Sequence, residues 1–449
     1  MTAATTRRGI VIGGGIAGLV AARDLAVAGV PVVLLEAGDR LGGQVRRHSV
    51  GGIELDAGAE AFATRTSVVA DLATELGLGP DIVAPEPAGA WLYSGDGRAL
   101  PLPATSLLGV PASPFDAAVT RIVGRRAAIR AGLDALLPVR VGASSRTLGE
   151  LVRRRMGASV VEKLVAPVAG GVHSTHPDEL LLEQVAPGLL AALAAEGSLA
   201  RAVRALRGSA IAGSAVAGIR GGIVRLVDEL QADLERRGAD IRLGARVDEV
   251  RADGVLVGGR LLSGVVVVAA PGLVAPAESR TTTLATLVLD SAELDSAPRG
   301  SGVLVARNSR VRARALTHQT AKWSWLAERA AGRHVVRLSY ESASPDLRDV
   351  ARTDAAELLG VGLSPGQVLD FATVEWARAV RRPPVPGVAQ VGEAVAGTGL
   401  ASVVAQARAQ AAGLLGWLLG GPLRGPRGRG ESAKPKSRSV VPGKENNTE

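Results

Sequence analysis

Cysteine is absent from this 449-residue chain, which excludes disulfides, iron–sulfur clusters, thiolate zinc sites and a flavin tethered through cysteine. Redox chemistry, if present, must come from a bound cofactor. Aromatic residues make up 2% of the sequence, too few for the stacking platforms with which proteins grip single-stranded nucleic acid. No apolar run reaches the roughly 20 residues needed to cross a bilayer, and no signal peptide precedes the first apolar segment. A cytoplasmic protein is expected, touching membranes at most peripherally. The formal charge of +9 is unevenly placed, because Gly420 to Glu449 holds seven Lys or Arg against three acids. That Gly/Pro/Ser-rich tail is expected to be disordered. The small remaining excess gives no reason to expect nucleic acid as a partner, and heavy use of Arg, Ala, Gly and Val is the codon bias of a GC-rich genome. Lysine is scarce as well: only Lys163 and Lys322 precede the tail.

Glycine is plentiful, with 57 residues, so a lone glycine motif carries little weight and its context must carry the argument. Arg8 to Gln44 supplies that context: RGIVIGGGIAGLVAARDLAVAGVPVVLLEAGDRLGGQ, a strand, a glycine turn, a small-residue helix, a second strand and an acid. It is a dinucleotide-binding βαβ unit. Gly13 permits the tight turn, Gly15 lets the backbone approach a pyrophosphate, and Gly18 lets the helix lie close on the sheet. The positive end of the helix then faces the phosphates. Glu36 ends the second strand and can accept hydrogen bonds from ribose hydroxyls, while repelling the 2′-phosphate of NADP. Arg40 and Gly42-Gly43 extend the motif past the ribose-binding acid, which favours FAD over NAD.

The length exceeds one comfortable core, so interleaved domains are expected. Gly51 to Phe62 suggests a strand and a glycine turn, Ser67 to Leu78 a helix, and Trp91 to Leu102 a short strand pair. Gly124 to Gly197 has helical periodicity and is expected to be a helical insertion. Gly221 to Arg237 suggests another helix, RLGARVDEVRADG two strands around a turn, and GVVVVAAP (264–271) a buried return strand. The segments SGVLVAR, RARALTHQT and HVVRLSYES alternate as in an antiparallel sheet. Gln390 to Ala412 suggests a strand, a glycine turn and a long helix starting near Gly399, whose positive end would favour negative charge on a reduced flavin. The expected units are 1–85, 213–275 and 371–420 for FAD binding, 86–212 for the substrate and helical insertion, 276–370 for a substrate-domain sheet and 421–449 for the tail. His173 and His176 lack the further ligands a metal needs, and GGVHSTHP is read as a loop beside a substrate cavity. His48, His318 and His334 stand isolated and are expected to be structural.

GGGIAGL, EAGDRLGG, GAEAF, VVVVAAP, the pair Lys322-Trp323 and GEAVAGTGL occur in the order found in the protoporphyrinogen/coproporphyrinogen oxidase family, which the chain resembles over nearly its whole length. GAEAF and the KW pair are the specific signals; the first and last motifs are shared with amine oxidases and carotenoid desaturases. Within the family the chain looks most like the coproporphyrinogen III oxidases of high-GC Gram-positive bacteria. The resemblance implies an α/β fold: an amine-oxidase-like, Rossmann-type FAD domain interleaved with an α+β substrate domain and a helical insertion. It also implies FAD-dependent oxidation of coproporphyrinogen III with O2 as acceptor, in haem biosynthesis, and a haem-pathway enzyme as a protein partner.

Position by position, the resemblance places Gly13, Gly14, Gly15, Ile16, Ala17 and Gly18 at the pyrophosphate and Glu36 and Ala37 at the adenosine ribose. Arg40, Gly42, Gly43 and Gln44 fall at the phosphates and flavin side, and Gly58, Ala59, Glu60 and Ala61 along the isoalloxazine. Val247 would meet adenine through its backbone, and Trp376 with Thr398, Gly399 and Leu400 would close the flavin end. A porphyrinogen carrying propionates needs cations at the rim, and Arg65 is a candidate for one. Lys322 is the catalytic candidate, orienting a propionate or sitting near the flavin, with a structural salt bridge as the plainer expectation. WARAVRRPPVPGVAQVG (376–392) is shorter than the family pattern there, and the chain has two tyrosines and three phenylalanines in all. Protoporphyrinogen IX as substrate, an amine or polyene oxidase, and a catalytically degenerate flavoprotein therefore stay open as alternatives.

Overall fold

The computed structural model describes residues 8–173, 175–207 and 216–418; the basic tail lies outside the described residues. Gly9–Ile12 is the central strand of a five-stranded parallel sheet ordered Asp240–Arg242, Val32–Leu35, Gly9–Ile12, Val265–Val268, Ala389–Gln390. Counted along the chain, that order is 3-2-1-4-5. All strands run the same way, so their carboxyl ends share one edge, and the order reverses between Gly9–Ile12 and Val265–Val268. That reversal opens the crevice in which doubly wound sheets bind ligands.

Unbroken apolar runs such as VVVV suit a sheet covered on both faces. On one face lie the helices Ile16–Val27, Arg225–Arg236 and Leu400–Leu418, sharing a core that includes Leu19, Val20, Leu226, Leu230, Val404 and Ala407. On the other, Ile10, Ile12, Val33 and Leu35 pack against Val247 and Val255 of a small antiparallel sheet, Val247–Arg251, Gly254–Val257 and Arg260–Ser263. The segment RLGARVDEVRADG forms the two expected strands around a turn, but they belong to different sheets. Its first residue, Arg242, ends a strand of the parallel sheet, and the next strand belongs to the covering sheet.

The second unit is a seven-stranded sheet in the order Val368–Ala379, Ser279–Leu289, His334–Tyr340, Ala315–His318, Gly302–Val305, Trp91–Tyr93, Ala99–Pro101. It is antiparallel except where Gly302–Val305 runs parallel to Trp91–Tyr93. Its two longest strands were not expected, and Val368–Ala379 carries the chain in this sheet past residue 371, so the return to the nucleotide sheet comes later than the sequence suggested. Helices between Ala117 and Arg207 form the third unit, with its own core of residues such as Leu148, Leu151, Leu164, Leu189 and Val203. At its centre the fully buried Arg155 donates to Asp134, whose other oxygen accepts from Ser198 and the Ala200 N–H. Such a pair stabilises only because its hydrogen bonds are completed. The segment read as a loop at GGVHSTHP begins instead as the helix Ala166–His173, packed on the sheet at Leu304, against which a Cβ on Gly171 would collide. Residue 174 lies outside the described residues.

Candidate functional site

Each glycine of the first turn has a different geometric reason. Gly13 has φ +102°, and a Cβ there would sit 3.1 Å from the Ala269 carbonyl carbon of the return strand. A Cβ on Gly18 would collide with the Gly13 carbonyl oxygen, so helix and strand can approach only without it. Gly15 is different: its Cβ direction meets nothing within 4 Å. It precedes the helix Ile16–Val27, which has no side-chain cap and no acid in its first turn. The open backbone at Gly15, the lack of a side-chain cap on the helix and the helix dipole together suit a pyrophosphate.

Glu36 extends from the second strand and accepts from Gly14 N–H at 2.6 Å and Gly38 N–H at 2.7 Å. One bond per carboxylate oxygen leaves acceptor capacity for two ribose hydroxyls. Ala37 and Arg40 are exposed beside it. The backbone of Glu36 accepts from Ala245 N–H at 2.8 Å, so the chain leading to Val247 runs alongside the same carboxylate. Gly42 has φ +101° and donates its N–H to the Gly14 carbonyl at 2.8 Å, and Gly43 lies against Gly15. The expected phosphate and ribose residues thus converge on the crevice.

A second wall continues from there. Gln44 Nε2 donates to the Ala377 carbonyl at 3.4 Å and to Glu393 at 3.3 Å. Trp376 Nε1 donates to the Ala57 carbonyl at 3.3 Å, Arg46 lies 4.6 Å from the Trp376 ring centre, and Gly58 sits against the indole. Gly392 approaches Ala17 at 3.6 Å, measured from a Cβ position, and Val391 N–H bonds the Val268 carbonyl. GEAVAGTGL contains a short helix, Glu393–Ala396, not expected from sequence. Beyond it, Thr398 and Gly399 precede Leu400–Leu418, and Gly399 has φ +101° with open space at its Cβ position. Arg65 is exposed, and its Nη1 donates to the Val185 carbonyl of the helical unit at 2.9 Å. This bond ties the chain just past GAEAF to the helices.

Between the two motifs lies a buried ionic cluster. Lys322 Nζ donates to Glu60 at 2.7 Å and stands 5.0 Å from the Trp323 ring centre; Gln319 donates to the other Glu60 oxygen. The Lys322 charge therefore engages Glu60, which is the salt bridge the sequence offered as the plainer expectation. Arg337, not singled out from sequence, lies 3.9 Å from Glu60 and donates to the Gly58 carbonyl at 2.7 Å and to the Asp56 carbonyl. Burial by itself raises the Glu60 pKa, but the Lys322 and Arg337 charges more than offset it and hold the carboxyl at about 2. Glu60 is an anion at any ordinary pH. Asp56 differs: burial raises it to about 6 against the lowering effect of its bonds from the Ile223 and Val224 N–H groups. The one sequence signal for Arg337 was a charge inside HVVRLSY, a strand otherwise fit for burial.

The histidines need one correction. His318 and His334 are not isolated but sit on adjacent strands with ring nitrogens 3.2 Å apart, and His334 contacts Asp295 at 3.0 Å. Burial, then the neighbouring imidazole, lowers His318 to about 4, so it is neutral in the fold. Among the described residues no group of three or more metal-ligating side chains is gathered.

Residues 16–294 match the family described as flavin containing amine oxidoreductase. Among curated relatives, coproporphyrinogen III oxidase of Mycobacterium leprae is 34% identical over 83% of this chain and 85% of its own. Coproporphyrinogen III oxidase of Staphylococcus aureus is 27% identical over 71% of this chain and 75% of its own. Among solved structures, a protein from Exiguobacterium sp. 255-15, provisionally assigned as a protoporphyrinogen oxidase, superposes with a TM-score of 0.77 at 23% identity, covering 92% of this chain and 99% of that one.

Proposed function

The chain belongs to the protoporphyrinogen/coproporphyrinogen oxidase family of flavin-containing amine oxidoreductases and is an FAD-dependent oxidoreductase, and from that premise we propose that it oxidises coproporphyrinogen III to coproporphyrin III in haem biosynthesis. The observation that carries this reading is the ion pair of Glu60 and Lys322. It joins GAEAF to KW, the two segments that set the porphyrinogen oxidases apart from amine oxidases, and the relatives named above bear the same activity in their names.

FAD, which Gly13 to Gly18, Glu36 and Gly42 to Gln44 would hold, would supply two-electron oxidation chemistry, three rounds of which, with three O2 reduced to three H2O2, would account for the six electrons and six hydrogens the porphyrinogen loses. The chain's own part is positioning. Arg337 pins the carbonyls of Asp56 and Gly58 while the Glu60 cluster fixes the next turn, so the backbone Gly58 to Ala61 is held as a rigid rail. Trp376 braces the entry to that rail by donating to the Ala57 carbonyl, and Gln44 ties to the neighbouring Ala377 carbonyl. Placed against the flavin ring, the positive end of the helix starting at Leu400 would favour negative charge on the reduced cofactor. Pyrrole N–H protons can leave to solvent, so no general base is required of the protein.

The substrate's propionates call for cations outside the rail. Arg65 uses one donor on Val185, leaving the rest of its guanidinium fork for a carboxylate. Arg381, exposed and anchored through Nε to the Val395 carbonyl at 2.9 Å, lies against Gly397, beside Gln184 and so toward the same stretch of the helical unit that Arg65 reaches. The purified protein should show flavin absorbance and, in air, turn coproporphyrinogen III into fluorescent coproporphyrin with peroxide release, faster than it oxidises protoporphyrinogen IX. Bound flavin with neither porphyrinogen consumed would overturn this reading.

A further inference from the structure

Around the wall that carries Gly58 to Ala61, most cations are matched to a carboxylate. Lys322 and Arg337 share Glu60, Arg378 bonds Glu393, and Arg47 bonds Asp228. Arg46 is the exception. It is partly buried, and among the described residues no carboxylate lies within ion-pair distance of it. Its guanidinium carbon stands 4.6 Å from the Trp376 ring centre, and the charge that acts on it is another cation, Arg40. Burial, and then repulsion from Arg40, lowers the Arg46 pKa from its ordinary value, yet a guanidinium keeps its proton in a protein. Desolvating a charge without a partner is costly, and an indole face offsets only part of that cost. Two cations left facing one another are stabilised when an anion arrives.

The backbone fixes where Arg46 stands. The Ala57 N–H donates to the Arg46 carbonyl at 2.9 Å, and the Ala57 carbonyl accepts from Trp376 Nε1 at 3.3 Å. Ala57 therefore ties both stacked side chains to the residue just before Gly58. A Cβ on Gly58 would lie 2.7 Å from the Gln44 carbonyl and 3.5 Å from Trp376 Nε1, so the rail begins directly against the indole.

We propose that Arg46 sets the charge balance at the flavin ring, its guanidinium stabilising the reduced cofactor over the oxidised one. This role rests on the reading that Trp376 closes the flavin end of the site. The charges Glu36, Arg40 and Arg46 then follow the order of groups in the dinucleotide: ribose, pyrophosphate, flavin. The substrate gives the ring two electrons and one proton, so the reduced ring carries one more negative charge than the oxidised ring. The pyrophosphate keeps the same charge in both states, and a cation serving it alone would leave the potential unchanged. Arg46 adds a full charge to the partial one at the start of the helix Leu400–Leu418.

The test compares the full-length wild type with Arg46→Gln, Arg46→Lys and Arg40→Gln, each loaded with FAD. Arg46→Gln should lower the two-electron flavin potential, read against a redox dye, by about 30 mV, a ten-fold change in reduced-over-oxidised preference. Sulfite, which adds to the oxidised ring and leaves negative charge on it, should bind this variant about ten-fold more weakly. Arg46→Lys keeps the charge and should restore most of both. ADP, a diphosphate without the flavin, should bind Arg46→Gln as wild type and Arg40→Gln more weakly. A wild-type potential in Arg46→Gln overturns the proposal, as does equal weakening of ADP and FAD, which would assign Arg46 to the pyrophosphate. Should Arg46→Gln fail to fold, Arg46→Lys decides: charge without the planar stack should keep the wild-type potential, and a drop of about 30 mV there overturns the proposal. Added FAD should quench tryptophan fluorescence in wild type and less in Trp376→Phe. Equal quenching would remove Trp376 from the flavin end and the proposal with it, whereas reduced quenching with an unchanged Arg46→Gln potential overturns the proposal alone. These measurements use no porphyrinogen, so they stand apart from the choice of substrate.

Discussion

Glu60 decides how the site responds to pH and to the loss of a partner. Its folded pKa of about 2 lies below its ordinary 4.5, so the stability it contributes is present above pH 4.5 and lost as pH falls toward 2. A shift of that size corresponds to about 3 kcal/mol. Glu60→Gln is expected to remove this part of the acid limb, seen as a thermal melting point that changes less than wild type between pH 5 and pH 3. Lys322→Met leaves the carboxylate buried beside Arg337 alone and should destabilise by about 3–5 kcal/mol. The double variant Glu60→Gln with Lys322→Met should be more stable than Lys322→Met, because the buried carboxylate that lost its lysine is gone while Arg337 keeps its bonds to the Asp56 and Gly58 carbonyls. Additive single effects in that cycle would show that the two side chains are not energetically coupled.

At the scale of the element, the glycine turn makes two opposite predictions from one motif. Gly18→Ala forces a Cβ into the Gly13 carbonyl and should cost about 1–3 kcal/mol of stability, since the helix must shift off the strand. Gly15→Ala adds a methyl where nothing stands, at an ordinary φ of −71°, so the fold should be unaffected. Flavin affinity should nevertheless fall, by about ten-fold or more, because the methyl fills the approach to the pyrophosphate. Melting curves and flavin titration separate the two; a Gly15→Ala protein that binds FAD as wild type would remove the phosphate from that turn. The first strand, its helix and the valine return strand were legible because period and glycine spacing are local. The strands Ser279–Leu289 and Val368–Ala379 were not, because their outer ends carry Ser, Arg, Thr and Glu in no apolar alternation and are held as strands there by pairing with each other, while only the inner part of Ser279–Leu289 also pairs with His334–Tyr340. The same reason hides Arg337, whose bonds to Asp56 and Gly58 span the sequence. The Glu60–Lys322 contact joins two motifs each visible from sequence, but nothing local says that they touch.

For the whole molecule, the decisive fact is that the nucleotide sheet is assembled from strands beginning at Gly9, Val32, Asp240, Val265 and Ala389, with the other two units threaded between them. A dinucleotide lying along the carboxyl edge would be gripped by all of these stretches at once, and a ligand that binds only the folded state stabilises it by about 2.7 kcal/mol at a hundred times its dissociation constant. Flavin removal should therefore lower the melting point, and added FAD should raise it with a logarithmic dose dependence. Amide exchange locates the effect. Peptides covering 9–43, 240–247 and 389–404 should lose protection together when flavin is stripped, while the helices of 117–207, built on a separate core, should change little. Loss confined to 9–43 would instead mean that the segment from Ala389 onward does not take part in holding the cofactor, and that the wall formed by Gln44, Trp376 and Glu393 serves packing alone.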